Sequence, residues 1–196
     1  MGRKRNPVLL VHGIYDTFLK FRRMSAYLTN LGWSVHSLNL TPNDGNGRLE
    51  TLAEQVADYV EQNFSREQPL DLVGFSMGGI VTRYYLQRLG GVNRIHRYIS
   101  ISAPNNGTLM AYTLQRPGVV QMRPKSNLLE DLNQDVETLK KLEVTVLWTP
   151  FDLMILPARS SQMAVGKDIR LPVPLHAWMV SDSRTLTIVY QKLSTE

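Results

Sequence analysis

Apolar residues follow two alternating patterns along the chain. Short runs rich in Val, Ile and Leu predict buried strands, and segments with apolar residues every three or four positions predict helices. The predicted strands span residues 8–11, 33–38, 70–73, 95–102, 144–148 and 169–173. The predicted helices span residues 18–31, 49–64, 77–89, 128–141 and 182–193. This alternation predicts an α/β fold in which helices cover both faces of a six-stranded, mainly parallel sheet.

The segment 105–127 interrupts this alternation. It interleaves Leu, Met, Tyr and Val with Arg, Lys and Pro. A long irregular segment inside a compact domain is either a functional loop or a set of short helices. The sequence contains no repeat, low-complexity tract or linker, so we interpret residues 1–196 as a single domain. Segment 105–127 is then a candidate lid within that domain.

The composition is that of an ordinary globular protein. Of 196 residues, 43% are hydrophobic and 20% are charged, and there is no cysteine. The lack of cysteine excludes disulfides, thiolate metal sites and a cysteine nucleophile. The formal net charge of +5 favours an anionic surface but is too small to indicate nucleic-acid binding. No nucleic-acid motif, phosphate-binding loop, metal site or cofactor site is predicted, and the oligomeric state is left open.

The sequence also bears on localisation. No apolar run approaches the roughly 18 to 20 residues that a membrane-spanning helix requires. The basic start of the chain is followed only by the apolar residues 8–11, too few for the hydrophobic region of a signal peptide. We therefore expect a cytoplasmic protein, with peripheral membrane contact as an open alternative.

A candidate nucleophile lies between the third predicted strand and the helix that follows it. The sequence there is Gly74-Phe75-Ser76-Met77-Gly78, the Gly-x-Ser-x-Gly pattern of a nucleophile elbow. A serine on such a tight turn projects its hydroxyl above the sheet, and the flanking glycines let helix and strand approach closely. The alternative is a glycine-rich turn that contains a serine without a catalytic role.

Two backbone N–H groups are the expected oxyanion hole, because the negative oxygen of a tetrahedral intermediate requires donors that are already in place. One is Met77, directly after the nucleophile, and the other is Ile14 in the loop after the first strand. His12 in the same loop has two interpretations. We favour a structural role over a catalytic one, because the base of an elbow fold comes late in the chain.

The same order of elements predicts the acid and the base. Asp152 follows the predicted strand 144–148, and His176 is the only histidine beyond it. His36 and His96 fall within strand patterns and are predicted to be structural. Asp168 and Asp182 are competing acids, interpreted as a turn residue and a helix N-cap.

With these motifs the chain resembles the small bacterial lipases and esterases of the α/β-hydrolase superfamily, in particular the compact "class 2" lipases. The resemblance covers the entry to the oxyanion loop (residues 7–13), the elbow, and the segment 102–108 with its Pro-x-x-Gly-Thr pattern. It implies a minimal α/β-hydrolase fold that lacks the first two strands, and hydrolysis of acyl esters. The chain departs from the family pattern at Phe75, at Asn105 and in its His-Gly-Ile-Tyr-Asp loop, positions that bear on substrate preference.

An apolar pocket wall with flexible methionines suits an acyl chain. The candidate substrate-binding residues are Tyr15, Phe18, Leu109, Met110, Met154, Ile155, Trp178 and Met179. The alternative is that several of them simply complete the core. In segment 105–127, Arg116, Arg123 and Lys125 are candidates for contact with the head groups of an anionic membrane.

The first functional hypothesis is a serine hydrolase acting as a lipase or esterase on glycerolipids, with Ser76, His176 and Asp152 as its triad. A second is a thioesterase, amidase or acyltransferase that uses the same acyl-enzyme. A third, from another class, is a catalytically silent hydrolase-fold binding module. The ordered Ser, Asp and His argue against the third.

Overall fold

A computed structural model describes residues 5–195; the basic residues 1–4 and residue 196 lie outside the described part. Six strands form the sheet: β1 (Val8–Val11), β2 (Val35–Ser37), β3 (Leu70–Phe75), β4 (Ile95–Ile101), β5 (Glu143–Trp148) and β6 (Lys167–Arg170). The α-helices are α1 (Arg22–Asn30), α2 (Leu49–Asn63), α3 (Met77–Arg88), α4 (Pro117–Val120), α5 (Asn127–Gln134) and α6 (Ser183–Ser194). Short 3-10 helices complete the chain, among them Phe18–Phe21, Leu109–Tyr112 and His176–Trp178.

All strand pairs are parallel, and the strand order is β2-β1-β3-β4-β5-β6. The predicted six-stranded α/β sheet is therefore confirmed. Helices α2, α3 and α5 contribute to the apolar core on one face, while α1 and α6 contribute to the core on the other. Parallel strands place all their carboxyl ends at one edge, so the loops that carry the candidate site residues meet there.

The amino edge of the sheet holds both ends of the described chain. Arg97 on β4 lies 3.3 Å from the buried carboxylate of Asp71 on β3, which also accepts a hydrogen bond from Asn6. The same guanidinium donates to the carbonyl oxygen of Thr195, directly after α6. A buried carboxylate needs such partners because burial removes the water that would otherwise hydrate its charge.

The last strand differs from the prediction. It was expected over 169–173, whereas β6 is the polar, largely exposed edge strand Lys167–Arg170. Pro172 and Pro174 have no N–H to donate to a ladder, so pairing ends near Leu171, whose N–H still bonds Trp148. The second strand is likewise shorter than expected, with only Val35–Ser37 paired.

The predicted helix 128–141 is broken in two. Helix α5 ends at Gln134, and a 3-10 helix, Val136–Lys141, follows. Gln87 donates hydrogen bonds to the carbonyl oxygens of Leu132 and Asp135, which an uninterrupted helix would use itself. The Asp135 carboxylate accepts from Arg88 and Thr138, which holds the break in place.

Segment 105–127 is folded onto the rest of the molecule rather than extended. It contains the 3-10 helix Leu109–Tyr112 and the single turn α4. Arg123 closes the segment on itself by donating to the carbonyl oxygens of Ala111 and Leu114. Between residues 5 and 195, no helix has the length and apolar character required to cross a bilayer.

Candidate active site

Ser76 occupies the sharp turn between β3 and α3. Its backbone angles, φ 53° and ψ −126°, lie in a region that non-glycine residues rarely adopt. The turn is held by the Ser76 N–H, which donates to the carbonyl oxygen of Ile101 at 2.9 Å. This strained backbone directs the hydroxyl toward the carboxyl edge of the sheet, as an elbow requires.

The glycines flanking Ser76 are required by close packing. A Cβ at Gly78 would lie 2.4 Å from the carbonyl oxygens of Val11 and His12. A Cβ at Gly74 would lie 2.5 Å from the Thr82 hydroxyl. Because real Cβ atoms do not approach backbone so closely, any larger residue at these positions would push α3 away from the sheet.

Asp152 lies in the loop after β5 and is only 2% exposed. One of its oxygens, Oδ1, accepts hydrogen bonds from the N–H groups of Met154 and Ile155, both at 2.9 Å. Thr149 at the start of the loop donates to the carbonyl oxygen of Val173, which ties this loop to the one that carries His176. The other carboxylate oxygen, Oδ2, is thereby left to face the histidine.

His176 bridges the serine and the aspartate. Its Nε2 lies 3.0 Å from Ser76 Oγ, and its Nδ1 lies 2.7 Å from Asp152 Oδ2. A carboxylate only accepts, so Nδ1 carries the proton and Nε2 is free to accept from the serine hydroxyl. The imidazole also packs against the Phe75 ring, with centroids 4.9 Å apart. The structure thus brings together the three side chains that the sequence grouped.

The two candidate oxyanion donors flank Ser76. Met77 is the first residue of α3, so its N–H has no acceptor within the helix. In the loop after β1, the N–H of Tyr15 donates to Asn43, whereas that of Ile14 has no acceptor in residues 5–195. A Cβ at Gly13 would lie 2.9 Å from Ser76 Cβ, which measures how close this loop comes to the serine.

His12 is fully buried beneath the same loop. Its Nδ1 lies 2.8 Å from the carbonyl oxygen of Gly13, and its Nε2 accepts from the N–H of Leu40 at 3.0 Å. Burial lowers the pKa of His12, so the ring is neutral and joins two backbone segments. These contacts fit the structural role that we favoured for it.

The remaining candidates lie apart from the serine. His36 is in β2 and His96 in β4, as expected. Asp182 is the N-cap of α6, where it accepts from the N–H of Arg184. Asp168 is not in a turn as predicted; it lies in β6 and accepts from the Trp148 indole at 2.5 Å.

An apolar cavity of about 120 Å³ opens beside Ser76. Four of the eight candidate substrate-binding residues line the cavity: Tyr15, Met110, Met154 and Ile155. Leu109 adjoins it on the exposed side of the same 3-10 helix as Met110. Lining that the sequence did not single out comes from Val119 and Met122.

The structure does not bring Phe18, Trp178 and Met179 to this cavity. Phe18 and Trp178 are exposed on 3-10 helices and do not line it. Met179 is 0% exposed and belongs to the core on the side of α1 and α6. For Met179 the alternative interpretation, completion of the core, is the one the structure supports.

Three positions that hold the site together were not singled out as functional. The Thr108 hydroxyl donates to the carbonyl oxygen of Met154 and accepts from the N–H of Leu156, so it fixes the loop of the candidate acid. Asn105 donates to the carbonyl oxygen of Ser161 at 2.6 Å. The only sequence signal for either was the Pro-x-x-Gly-Thr pattern.

The third position, Arg83 on α3, is a cation with 0% exposure. Its guanidinium donates to carbonyl oxygens of Asn105 and Leu132 and to the side chains of Gln87 and Asn133, none of them a carboxylate. Burial lowers the pKa of Arg83 to about 10, still well above neutrality. Arg83 therefore links α3, α5 and the loop after β4 through its charge-assisted hydrogen bonds.

Comparison with known protein families gives one match over most of the chain: the family described as palmitoyl protein thioesterase matches residues 7–151. Lysosomal thioesterase PPT2 of Homo sapiens is 34% identical over 107 residues, which cover 52% of this chain and 34% of that protein. Palmitoyl-protein thioesterase 3 of Dictyostelium discoideum is 23% identical over 149 residues, 72% of this chain and 48% of that protein.

The chain thus spans between a third and a half of the length of the curated relatives it matches. The human relative is named for the lysosome, which describes that protein; our expectation of a cytoplasmic location stays a prediction.

Solved structures give the same fold. Lipase BlEst2 of Bacillus licheniformis, in its mature form, superposes with a TM-score of 0.81 at 12% identity, covering 98% of this chain and 94% of that one. Lipase B of Aspergillus fumigatus superposes with a TM-score of 0.83 at 17% identity, covering 98% of this chain and 53% of that one. The fold is therefore the α/β-hydrolase fold that the resemblance implied.

Proposed function

Because the chain belongs to the palmitoyl protein thioesterase family, matched over residues 7–151, we propose that it is a serine hydrolase of fatty-acyl thioesters. One observation carries the proposal. Ser76 Oγ, His176 Nε2, His176 Nδ1 and Asp152 Oδ2 form an unbroken chain of contacts of 3.0 and 2.7 Å at the mouth of an apolar cavity. This is the arrangement in which a serine hydroxyl becomes a nucleophile.

In the acylation step, His176 Nε2 takes the proton of the Ser76 hydroxyl as Oγ attacks the acyl carbon. Asp152 holds the imidazole in the required tautomer and stabilises the imidazolium that forms. The N–H groups of Ile14 and Met77 donate to the oxygen of the tetrahedral intermediate, whose negative charge they stabilise. The carbon–sulfur bond then breaks, and the imidazolium returns its proton to the departing thiolate, which leaves as a thiol.

In the deacylation step, water replaces the thiol. His176 Nε2 removes a proton from the water as its oxygen attacks the acyl carbon of the acyl-serine. Collapse of the second tetrahedral intermediate breaks the bond to Ser76 Oγ, and the imidazolium returns the proton to Oγ. The products are a carboxylic acid and the free enzyme.

The cavity supports an aliphatic acyl group as the part of the substrate that is recognised. Its walls include Met110, Val119, Met122 and Ile155, which offer no charge and adapt to a chain of methylenes. Methylene burial favours binding by about 0.8 kcal/mol for each group. The thiol portion would leave on the exposed side, beside Tyr15.

Hydrolysis of glycerolipid esters is the second candidate function. The feature in its favour is that the candidate oxyanion donors and the base act on the acyl carbonyl, which oxygen esters and thioesters share. A glycerolipid esterase and a thioesterase would thus share Ser76, His176 and Asp152. They would differ only in the relative rates at which they hydrolyse oxygen esters and thioesters.

The test has two parts. A fluorophosphonate probe should label the wild-type protein and the Ser65→Ala control, whose serine is exposed before the amino end of β3, but not Ser76→Ala. Turnover is then compared on acyl thioesters and on matched oxygen esters, including phospholipid and triacylglycerol substrates. Absence of labelling in the wild type would favour a binding module over an enzyme. Labelling with turnover of glycerolipids only would replace the thioesterase proposal with the second candidate.

A further inference from the structure

Exposed apolar side chains gather at one edge of the sheet. Nearly all the large hydrophobic residues that are exposed between residues 5 and 195 lie in the loops after β1, β4, β5 and β6; Leu89 at the end of α3 is the exception. We call this surface the carboxyl-edge rim. Its members used below are Leu19, Tyr112, Leu114, Phe151, Leu153 and Trp178. Leu153 is 69% exposed. A contiguous patch of exposed apolar side chains marks a surface that binds a protein or a membrane.

Direct contacts join these loops into one surface. Thr108 bonds the loop after β4 to Met154 in the loop after β5, and the Leu109 N–H donates to the carbonyl oxygen of Leu156. Arg116 donates to the hydroxyl of Tyr15 in the loop after β1 at 2.8 Å. The rim therefore surrounds the cavity of Ser76 instead of lying scattered over the protein.

The charges on the rim are unbalanced. Segments 102–126, 149–162 and 171–181 contain a single carboxylate, Asp152, which is buried, and four cations: Arg116, Arg123, Lys125 and Arg159. The acids of the neighbouring loops are matched, since Asp16 lies 3.4 Å from Lys20 and Asp44 lies 3.6 Å from Arg116.

Two of the four cations serve the fold, and two are available. Arg116 and Arg123 are occupied by hydrogen bonds within the protein. Lys125 and Arg159 are exposed and make no ion pair in the described part of the chain. Exposed aliphatic and aromatic side chains beside unpaired cations are the two signals that together hold a protein at an anionic bilayer.

We propose that the carboxyl-edge rim docks the protein on an anionic phospholipid bilayer, with Ser76 facing the membrane. The occupant is a bilayer rather than a second copy, because the rim carries excess positive charge and two like surfaces would repel. The cavity shares Leu114 with the rim, so an acyl chain leaving the bilayer would reach Ser76 without crossing open water. This last point rests on the proposed function; the docking itself does not.

Vesicle cosedimentation tests the docking without any turnover. The probes are vesicles of phosphatidylcholine alone and of phosphatidylcholine with 30% phosphatidylglycerol, mixed with the Ser76→Ala protein over a salt series. We expect at least tenfold tighter binding to the anionic vesicles, weakened by salt. Equal binding to both compositions, or no binding to either, would overturn the proposal.

Matched variants separate the rim from the rest of the surface. Leu19→Asp with Leu153→Asp should weaken binding at least tenfold, whereas Leu89→Asp at the end of α3 should leave it unchanged. Lys125→Glu with Arg159→Glu should also weaken binding at least tenfold. The control, Lys141→Glu with Lys167→Glu, changes the net charge by the same amount at the amino edge and should leave binding unchanged. If the controls weakened binding as much as the rim variants, the rim would not be the docking surface.

Two further measurements keep the outcomes distinct. Hydrolysis of a short, water-soluble thioester by otherwise wild-type Leu19→Asp should be unchanged, since Leu19 does not line the cavity. If the protein with an unaltered rim turned over the soluble thioester but bound no anionic vesicles, the docking alone would be contradicted. Vesicle binding without turnover of any thioester by the wild-type protein would contradict the proposed function alone. A dimer in analytical ultracentrifugation that Leu19→Asp dissociates would replace the bilayer by a second copy.

Discussion

The guanidinium of Arg116 donates a hydrogen bond to the hydroxyl of Tyr15 at 2.8 Å. The same Nη1 donates to the carbonyl oxygen of Asp44 at 2.6 Å. Tyr15 has a φ of 59° and directly follows Ile14, the candidate oxyanion donor. One side chain thus ties segment 105–127 to the loop that carries this candidate donor.

Replacing Arg116 by Met should loosen both segments, because the side chain keeps its length and loses all its donors. We expect faster amide hydrogen exchange in segment 105–127 and in the loop after β1, and a loss of about 1–2 kcal/mol in the free energy of unfolding. Tyr15→Phe removes one of these bonds and should have a smaller effect in the same direction. Unchanged exchange in both variants would contradict the link.

Asp152→Asn tests the candidate acid. The amide nitrogen would face His176 Nδ1 and favour the wrong tautomer, so we expect kcat to fall by roughly 10³ to 10⁴ with little loss of stability. The matched control is Asp168→Asn, which alters the competing acid in β6 and should leave kcat unchanged. Equal losses in the two variants would remove Asp152 from the triad.

Gly78→Ala tests the packing of the elbow. The added Cβ would meet two carbonyl oxygens at 2.4 Å, so α3 must shift away from β1. We expect a loss of about 2–4 kcal/mol in urea unfolding and loss of probe labelling at Ser76. Gly90→Ala has open space around it and should cost about 1 kcal/mol through its φ of 78° alone. A smaller loss at Gly78 than at Gly90 would contradict this account.

The buried His12 predicts a pH effect on stability. Its pKa in the folded protein is lowered from the ordinary value of 6.5, so its contribution is complete above pH 6.5. The contribution is lost as the pH falls from 6.5 toward the lowered pKa, because the unfolded chain then binds the additional proton. Protonation would also remove the acceptor for the Leu40 N–H.

We therefore expect the melting temperature of the wild-type protein to fall between pH 7.5 and pH 5.5. In His12→Gln, whose side-chain oxygen can accept without titrating, the fall should be smaller. His36, whose pKa burial also lowers, titrates in both proteins, so the difference between them reports His12. Identical pH profiles would contradict the assignment.

The cavity predicts a preference among acyl chains. At about 120 Å³ it is smaller than the roughly 300 to 1,000 Å³ typical of ligand pockets. With segment 105–127 in this position, we therefore expect it to favour the shorter members of the fatty-acyl class that we propose as substrates. Met122→Ala enlarges it and should raise kcat/KM for long over short chains by several-fold per methylene accommodated. Met24→Ala, in the core on the opposite face, should lower stability without this shift.

Local patterns predicted the elements that carry the site. The elbow sequence around Ser76 and the order of Asp152 and His176 depend on strand ends, which continuous apolar runs mark well. Contacts distant in sequence were not predictable in this way. Arg83 falls in a predicted helix, where a charged side chain is normally assigned to solvent. Only the fold brings Leu132 and Asn105 to it.

A local sequence pattern also could not predict which side chains of a short helix are exposed and which are buried. Trp178 and Met179 are adjacent apolar residues, yet the first is exposed and the second is fully buried. The 3-10 turn His176–Trp178 ends between them and turns the chain back into the core. The break at Asp135 was missed for a related reason, since Gln87 and Arg88, which hold it, come from another helix.

The cluster of Asn6, Asp71, Arg97 and Thr195 has a practical consequence for handling the protein. Both ends of the described chain emerge there, on the side of the sheet opposite Ser76. A fluorophore or surface tether attached to a side chain exposed beside this cluster would hold the molecule by its amino edge. Immobilised in this way, the protein would present the edge of the sheet that carries Ser76 outward, accessible to large probes such as vesicles.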